Sequence, residues 1–157
     1  MKKHQYNAKI HWTGNQGKGT ENYKVYKRDY TISINGKSQD ILGSSDPAFL
    51  GDNTRYNPEE FLVASVSSCH MLWYLHLCAT NNIVVTNYTD NATGIMEETK
   101  NGSGKFTSIT LQPNIIITNK NNIEKAKKLH KDANKMCFIA NSLNFNIEHK
   151  ASISALD

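Results

Sequence analysis

The chain is short of several things, and each shortage narrows what it can be. Only two arginines, Arg28 and Arg55, occur among 157 residues, and the lysines are scattered, for a net charge of +4. The densest basic patch, Lys125, Lys127, Lys128 and Lys131, is interrupted by apolar residues and reads as a solvated helix face, so no nucleic-acid partner is expected. Three cysteines, an odd number, argue against a disulfide framework and for a reducing, cytoplasmic location in which a transient bridge could form. The N-terminal MKKHQYNAKIHW is basic but has no apolar core, so no signal peptide is read there. The longest apolar run is broken by serine and histidine and reads as too short to span a bilayer, so no membrane partner is expected. No linker, repeat or low-complexity tract divides the chain, and residues 1–157 read as one domain.

What is present is organised around residues 57–80, NPEEFLVASVSSCHMLWYLHLCAT. Asn57 suits an N-cap and Pro58 the first helical position. Glu59 and Glu60 complement the helix dipole. Apolar residues from Phe61 to Ala79 cover most of the circumference, which predicts a helix surrounded by other structure and mildly favours a core shared between subunits.

Around it, residues 5–13 alternate as a strand and residues 23–34 read as a second. Asn35-Gly36 signals a two-residue hairpin, with Lys37 to Leu42 returning. Residues 43–56 form a long loop whose Phe49 and Leu50 read equally as a flap or as a core plug. After the helix, residues 83–97 read as one strand. Phe106 to Ile117 form the next, with Pro113 at an edge or bulge. A second helix starts at Asn121 or Asn122, with Ile123, Ala126, Leu129 or His130, Ala133, Met136 or Cys137 and Ala140 as its stripe. Residues 145–154 close the chain as a strand. The expected fold is α+β, with antiparallel sheets, two main helices and the order βββ-α-ββ-α-β.

Cys69 and Cys137 fall on the two helices, and facing helices ~8–10 Å apart can bring such residues within disulfide range. Cys78 points to the opposite side of the first helix from Cys69. On spacing alone, a packing role for Cys69 and Cys137 outweighs a reactive one. A reactive thiol needs a nearby cation, which Arg28 or Arg55 could supply, oriented by a carboxylate such as Glu59. Glu59 and Cys69 are ~15 Å apart along a straight helix, so a site using both requires a bent helix or two chains. His70 and His76 do not share a helix face, and each reads as a packed or surface residue. Neither belongs to a metal-binding motif, so no metal is expected. Gly14, Gly17 and Gly19 lack the context of a phosphate loop, and no nucleophile elbow is present.

NPEEFLVASVSSCHM nevertheless resembles the N-P-E-(E/Q)-L-x-x-A-x-x-(S/A)-x-C signature of the OsmC/Ohr family of osmotically inducible and organic hydroperoxide resistance proteins. CFIANSL, around Cys137, resembles the family's second cysteine block, with Phe138 where proline is usual and Ala133-Asn134 where a histidine is usual. That wording resembles a divergent OsmC-like subgroup. The resemblance implies a thiol peroxidase for organic hydroperoxides. It casts Cys69 as the peroxidatic and Cys137 as the resolving cysteine. It makes Glu59 the residue that orients an arginine, with Arg28 the better match and Arg55 the alternative. It also implies an intertwined homodimer with interfacial sites, no bound cofactor, and an external dithiol reductant such as a dihydrolipoyl group. Two other readings stand beside it: a binding module for a small hydrophobic ligand, and a redox sensor or disulfide reductase using the same cysteine pair.

Overall fold

A computed structural model describes residues 1–156. The chain folds as two compact units, Met1–Phe61 and Leu62–Asp157, with the long helix beginning in the first and continuing in the second.

In the first unit, β1 (Lys9–Trp12), β2 (Tyr30–Ser33) and β3 (Ile41–Gly43) form an antiparallel sheet in that order. The strand expected over 23–34 is confined to its last third. Residues 23–28 leave the sheet because Tyr23 and Tyr26 fold around the Arg28 guanidinium. Asn35-Gly36 does turn the chain: the Lys37 amide donates to the Ile34 carbonyl at 3.0 Å, with Gly36 at φ 81°. Pairing resumes only at Ile32↔Ile41, so the connection is longer than the two residues expected and the return strand is shorter.

Residues 43–56 make a closed loop. The Ser44 amide donates to the Tyr56 carbonyl at 2.9 Å, and Asp46 caps a 3-10 turn over Pro47–Phe49. Phe49 and Leu50 are exposed on it, which removes the plug reading. The helix α1 (Pro58–Thr80) then starts with a reciprocal cap. The Glu60 amide donates to Asn57 Oδ1 at 2.8 Å, and the Asn57 amide donates to Glu60 Oε2 at 3.1 Å. Two otherwise orphaned donors are satisfied at once.

The second unit is built on three extended stretches, each divided at one bend. β4 (Val85–Asp90) and β5 (Thr93–Glu98) are the two halves of the first stretch. β6 (Gly104–Leu111) and β7 (Pro113–Ile117) are those of the second, and β8 (Ile147–His149) and β9 (Ser152–Ala155) those of the third. One set of halves pairs as β4-β7-β9 and the other as β5-β6-β8. Three strands expected from sequence are therefore six, because each stretch changes sheets partway. At the bend the Gln112 amide donates to Asp90 Oδ1 at 2.7 Å, the Gln112 side chain to the Asn91 carbonyl at 3.0 Å, and the Lys150 amide to the Leu111 carbonyl at 2.8 Å. Pro113 opens β7, where its missing N–H is tolerated. The sheets are mixed, which corrects the antiparallel expectation. β6–β8 and β7–β9 run parallel, since helix α2 (Ile123–Met136) returns the chain between them.

α1 buries one stripe, Val66, His70, Tyr74 and Cys78, at four-residue spacing. Tyr74 and Cys78 pack with Ile115 and Ile117 of β7 and Ala126, Leu129 and Ala133 of α2. Val66 packs with Ile109 and Leu111 of β6. The approach is close. A Cβ on Gly94 would meet Val63 of α1 at 2.7 Å and the Phe106 ring at 2.8 Å, so β5 needs glycine there. The expectation of a helix enclosed on all sides is not met within one chain, where Leu72 is 63% exposed. Nor is the segment too short to cross a bilayer, contrary to what its broken apolar run implies in sequence. At 23 residues it is long and apolar enough by that test, because its serines and histidines sit inside an otherwise apolar window. The stripe it packs on the sheet and α2 is the behaviour of a core helix. α2 buries Ala126, Leu129, His130 and Ala133 as expected, but it ends at Met136, which is exposed.

Two stability measurements follow from this core. Asn57→Ala should lower stability by about 1 kcal/mol in urea melts. Burial, with His149 and His130 as neighbours, lowers the pKa of His70 to about 3, and burial, with His149, lowers that of His130 to about 4. Unfolded imidazoles take up protons near pH ~6.5. Between there and the folded-state values the unfolded chain binds more protons, so stability is full above that pH and falls as pH drops. Unfolding free energies from urea melts should decline from pH 7 toward pH 4, by up to about 1.4 kcal/mol per pH unit for each imidazole. A flat profile would contradict the burial of these rings.

Candidate functional site

The face of α1 turned away from its core stripe carries Ser65, Ser68, Cys69, Leu72, Trp73 and His76, at helical spacing. With Phe138 and Ile139 from the chain after α2, these residues line an open cavity of about 500 Å³. That is large enough for a small organic ligand. Its walls are mainly aromatic and aliphatic. Trp73 meets Phe138 edge-to-face, with centroids 5.7 Å apart and planes at 84°. Cys69 is half-buried on the cavity wall.

Cys137 is fully buried and forms the C-cap of α2. The chain turns tightly after it: the Ala140 amide donates to Cys137 Sγ at 3.4 Å, and the Asn141 side chain donates to the Lys135 carbonyl at 2.9 Å. This turn sets Phe138 and Ile139 on the cavity rim. The Cys69 and Cys137 thiols are neighbours close enough to act on one another, and neither is in a disulfide. Burial above all, then the neighbouring Cys69 thiol, pushes the Cys137 thiol up to about 11. Cys137 therefore keeps its proton at neutral pH and can donate it toward its neighbour. Cys69 is the thiol of the two that opens to the cavity. Cys78 is sealed in the core beside Tyr74, on the far side of α1, as its spacing implied.

The remaining residues singled out in the sequence belong to the first unit. The Arg28 guanidinium lies 4.2 Å from the ring centroids of both Tyr23 and Tyr26. It donates to the Tyr26 carbonyl at 2.5 Å and the Tyr23 carbonyl at 2.6 Å. Among the described residues it has no carboxylate partner. Arg55 does: its Nε is 3.8 Å from both Asp29 and Asp52. Asp29 is itself buried and accepts from the Ser44 hydroxyl at 3.1 Å. Glu59 stands beside Tyr30, whose phenol is raised by burial first and by the Glu59 charge second. Glu59 makes no ion pair with Arg28 in this conformation.

Sequence reasoning found the two cysteines but not the cavity. Ser65, Leu72, Trp73 and His76 read as parts of a helix apolar all round, and only the i, i+3, i+4 spacing from Cys69 marks them as its neighbours. It reads His70 as a packed or surface residue and His130 as an alternative on the second helix's stripe, but it does not bring them together with His149 as the core cluster they form. Their rings lie at 5.3 Å (His70–His130) and 4.4 Å (His70–His149). No group of three or more His, Cys, Asp or Glu residues is arranged to hold a metal ion among the described residues.

A sequence profile described as OsmC-like protein matches residues 51–152. The sequence has no match among curated proteins. Among solved structures, the chain is similar to an OsmC-like protein of unknown function from Vibrio cholerae, at 30% identity and TM-score 0.85, covering 96% of this chain and 100% of that one. It is similar in fold to an organic hydroperoxide resistance protein OsmC from Legionella pneumophila, at 18% identity and TM-score 0.69, with 96% and 97% covered. A third is an organic hydroperoxide resistance protein from Elizabethkingia anophelis, at 21% identity and TM-score 0.67, with 99% and 100% covered.

The thiol arrangement itself makes a reactivity prediction. In the native protein, iodoacetamide should label Cys69 first. Labelling of Cys137 should accelerate as pH climbs toward about 11, and Cys78 should stay protected. Mass mapping of the alkylated peptides checks the order, and equal labelling of all three would contradict it.

Proposed function

The chain belongs to the OsmC-like family, and on that footing we propose that it is a thiol-dependent peroxidase that reduces organic hydroperoxides. The observation that carries this reading is an accessible thiol on the wall of an apolar cavity with a buried thiol as its neighbour. The cavity takes the organic part of a hydroperoxide and leaves its O–O bond at Cys69. The Cys69 thiolate attacks the outer oxygen, the O–O bond breaks, and the alkoxide leaves as an alcohol after taking a proton. Cys69 is then a sulfenic acid. Cys137 attacks that sulfur, water leaves, and a Cys69–Cys137 disulfide forms. An external dithiol, such as a dihydrolipoyl group, reduces the disulfide by two exchange steps.

Of the two arginines, Arg28 is our candidate for stabilising the Cys69 thiolate, because its charge is not matched by a carboxylate, whereas Arg55 is held by two. Glu59 is the candidate to orient it. Since Glu59 and Cys69 stand ~15 Å apart along α1, such a site draws on two subunits. The exposed apolar faces of α1 suit a homodimer, and three free thiols suit the cytoplasm.

The test is consumption of cumene hydroperoxide with dihydrolipoamide. Cys69→Ser should abolish it. Cys137→Ser should complete one turnover and leave a sulfenic acid that dimedone traps. Arg28→Ala should slow the first step, because less of Cys69 is then held as the attacking thiolate. If Cys69→Ser keeps the parent rate, the proposal is wrong.

A further inference from the structure

The two cysteine-bearing helices meet through histidines. His70 follows Cys69 on α1. His130 lies two turns before Cys137 and on the same face of α2. The rings are 1% and 5% exposed. His70 Nε2 and His130 Nδ1 are 3.0 Å apart, with ring planes within 8° of each other. In such a contact one nitrogen donates and the other accepts, so a single proton lies between them, an arrangement that two neutral rings satisfy.

The surroundings favour that state. From β8, His149 packs on His70 at 4.4 Å between centroids. From α1, Tyr74 stacks on His130 at 4.0 Å, with the Cys78 thiol beside it. From β4, Tyr88 packs on Tyr74 at 6.0 Å, and Asp90 is the carboxylate that acts on His149. The other nitrogens of the pair, His70 Nδ1 and His130 Nε2, are buried without a hydrogen-bond partner. The pair's own bond is thus its one polar link, and sliding either helix would break it at a cost a core resists.

We propose that the His70–His130 pair is a positioning device for the cysteine pair: its hydrogen bond fixes the offset of α1 against α2 that keeps Cys69 and Cys137 in contact. One residue of slip moves a helix by about 1.5 Å, comparable to the whole length of a disulfide bond at about 2 Å. This inference rests on reading Cys69 and Cys137 as a redox pair, but not on hydroperoxides being the oxidant.

The experiment equilibrates the full-length protein with glutathione buffers. Protein dithiol and glutathione disulfide exchange to give protein disulfide and two glutathione thiols, and alkylation followed by mass measurement reads the ratio. His130→Asn places an amide nitrogen near the position of Nδ1 and retains the bond, whereas His130→Leu removes it. His130→Leu should shift the equilibrium about tenfold toward the dithiol, equal to about 30 mV, while His130→Asn stays within about twofold of the parent. The proposal falls if folded His130→Leu matches the parent, or if His130→Asn loses as much as leucine. Should the leucine variant lack a native circular dichroism spectrum, His130→Gln replaces it under the same criteria, its amide lying beyond the Nδ1 position. No peroxide enters this assay. The expected pattern in a protein that leaves hydroperoxides intact overturns only the peroxidase reading. Active turnover with an unaltered leucine equilibrium overturns only the tie. A parent that forms no disulfide in any buffer overturns both.

Discussion

A single carboxylate sets the relation between sheet and helix in the second unit. Asp90 ends β4 at the bend, where Oδ1 accepts from the Gln112 amide at 2.7 Å and Oδ2 from the Ser67 hydroxyl of α1 at 2.6 Å. Both bonds are to a charged acceptor and so are stronger than neutral ones. Ser67 is two residues before Cys69. Holding Ser67 fixes the rotation of α1 about its axis, and with it which side chains face the core and which face the cavity. Had α1 turned by one position, about 100°, Cys69 would leave the cavity wall and His70 the core.

With that rotation fixed, the two thiols acquire different environments from the same pair of helices. Cys137 is enclosed and keeps its proton, and Cys69 is open to an apolar hollow. An attacking sulfur needs access, whereas a sulfur that acts second needs nearness and protection from stray oxidants. The divergent Phe138 contributes here, since it forms an aromatic wall with Trp73 where a proline would leave the rim lower.

How far the chain could be read without coordinates depended on whether the signal was local. The start of α1 was legible because the chemistry of Asn57, Pro58 and Glu60 acts within one turn. The approach of Cys69 to Cys137 was allowed by the packing distance of two facing helices and singled out by motif resemblance, since spacing along the chain does not say which helix faces meet. The division of the strands was not legible: the extended pattern runs on through Asn91, Gln112 and Lys150, and the bend arises from hydrogen bonds between stretches. The withdrawal of residues 23–28 from β2 depends on two tyrosines enclosing Arg28, which alternation does not encode. The histidine cluster left a faint trace. His70 falls on the same four-residue stripe as Val66, Tyr74 and Cys78, and a polar ring at a core position implies a partner elsewhere in the chain.

Placing Cys78 opposite Cys69 on one helix has a practical side. The sealed sulfur, 1% exposed, becomes visible to a thiol-reactive dye only when the core opens. The number of dye molecules bound per chain thus gauges the fraction of a preparation that has lost its native interior, and it can be read in the same cuvette as the chemistry of the other two sulfurs.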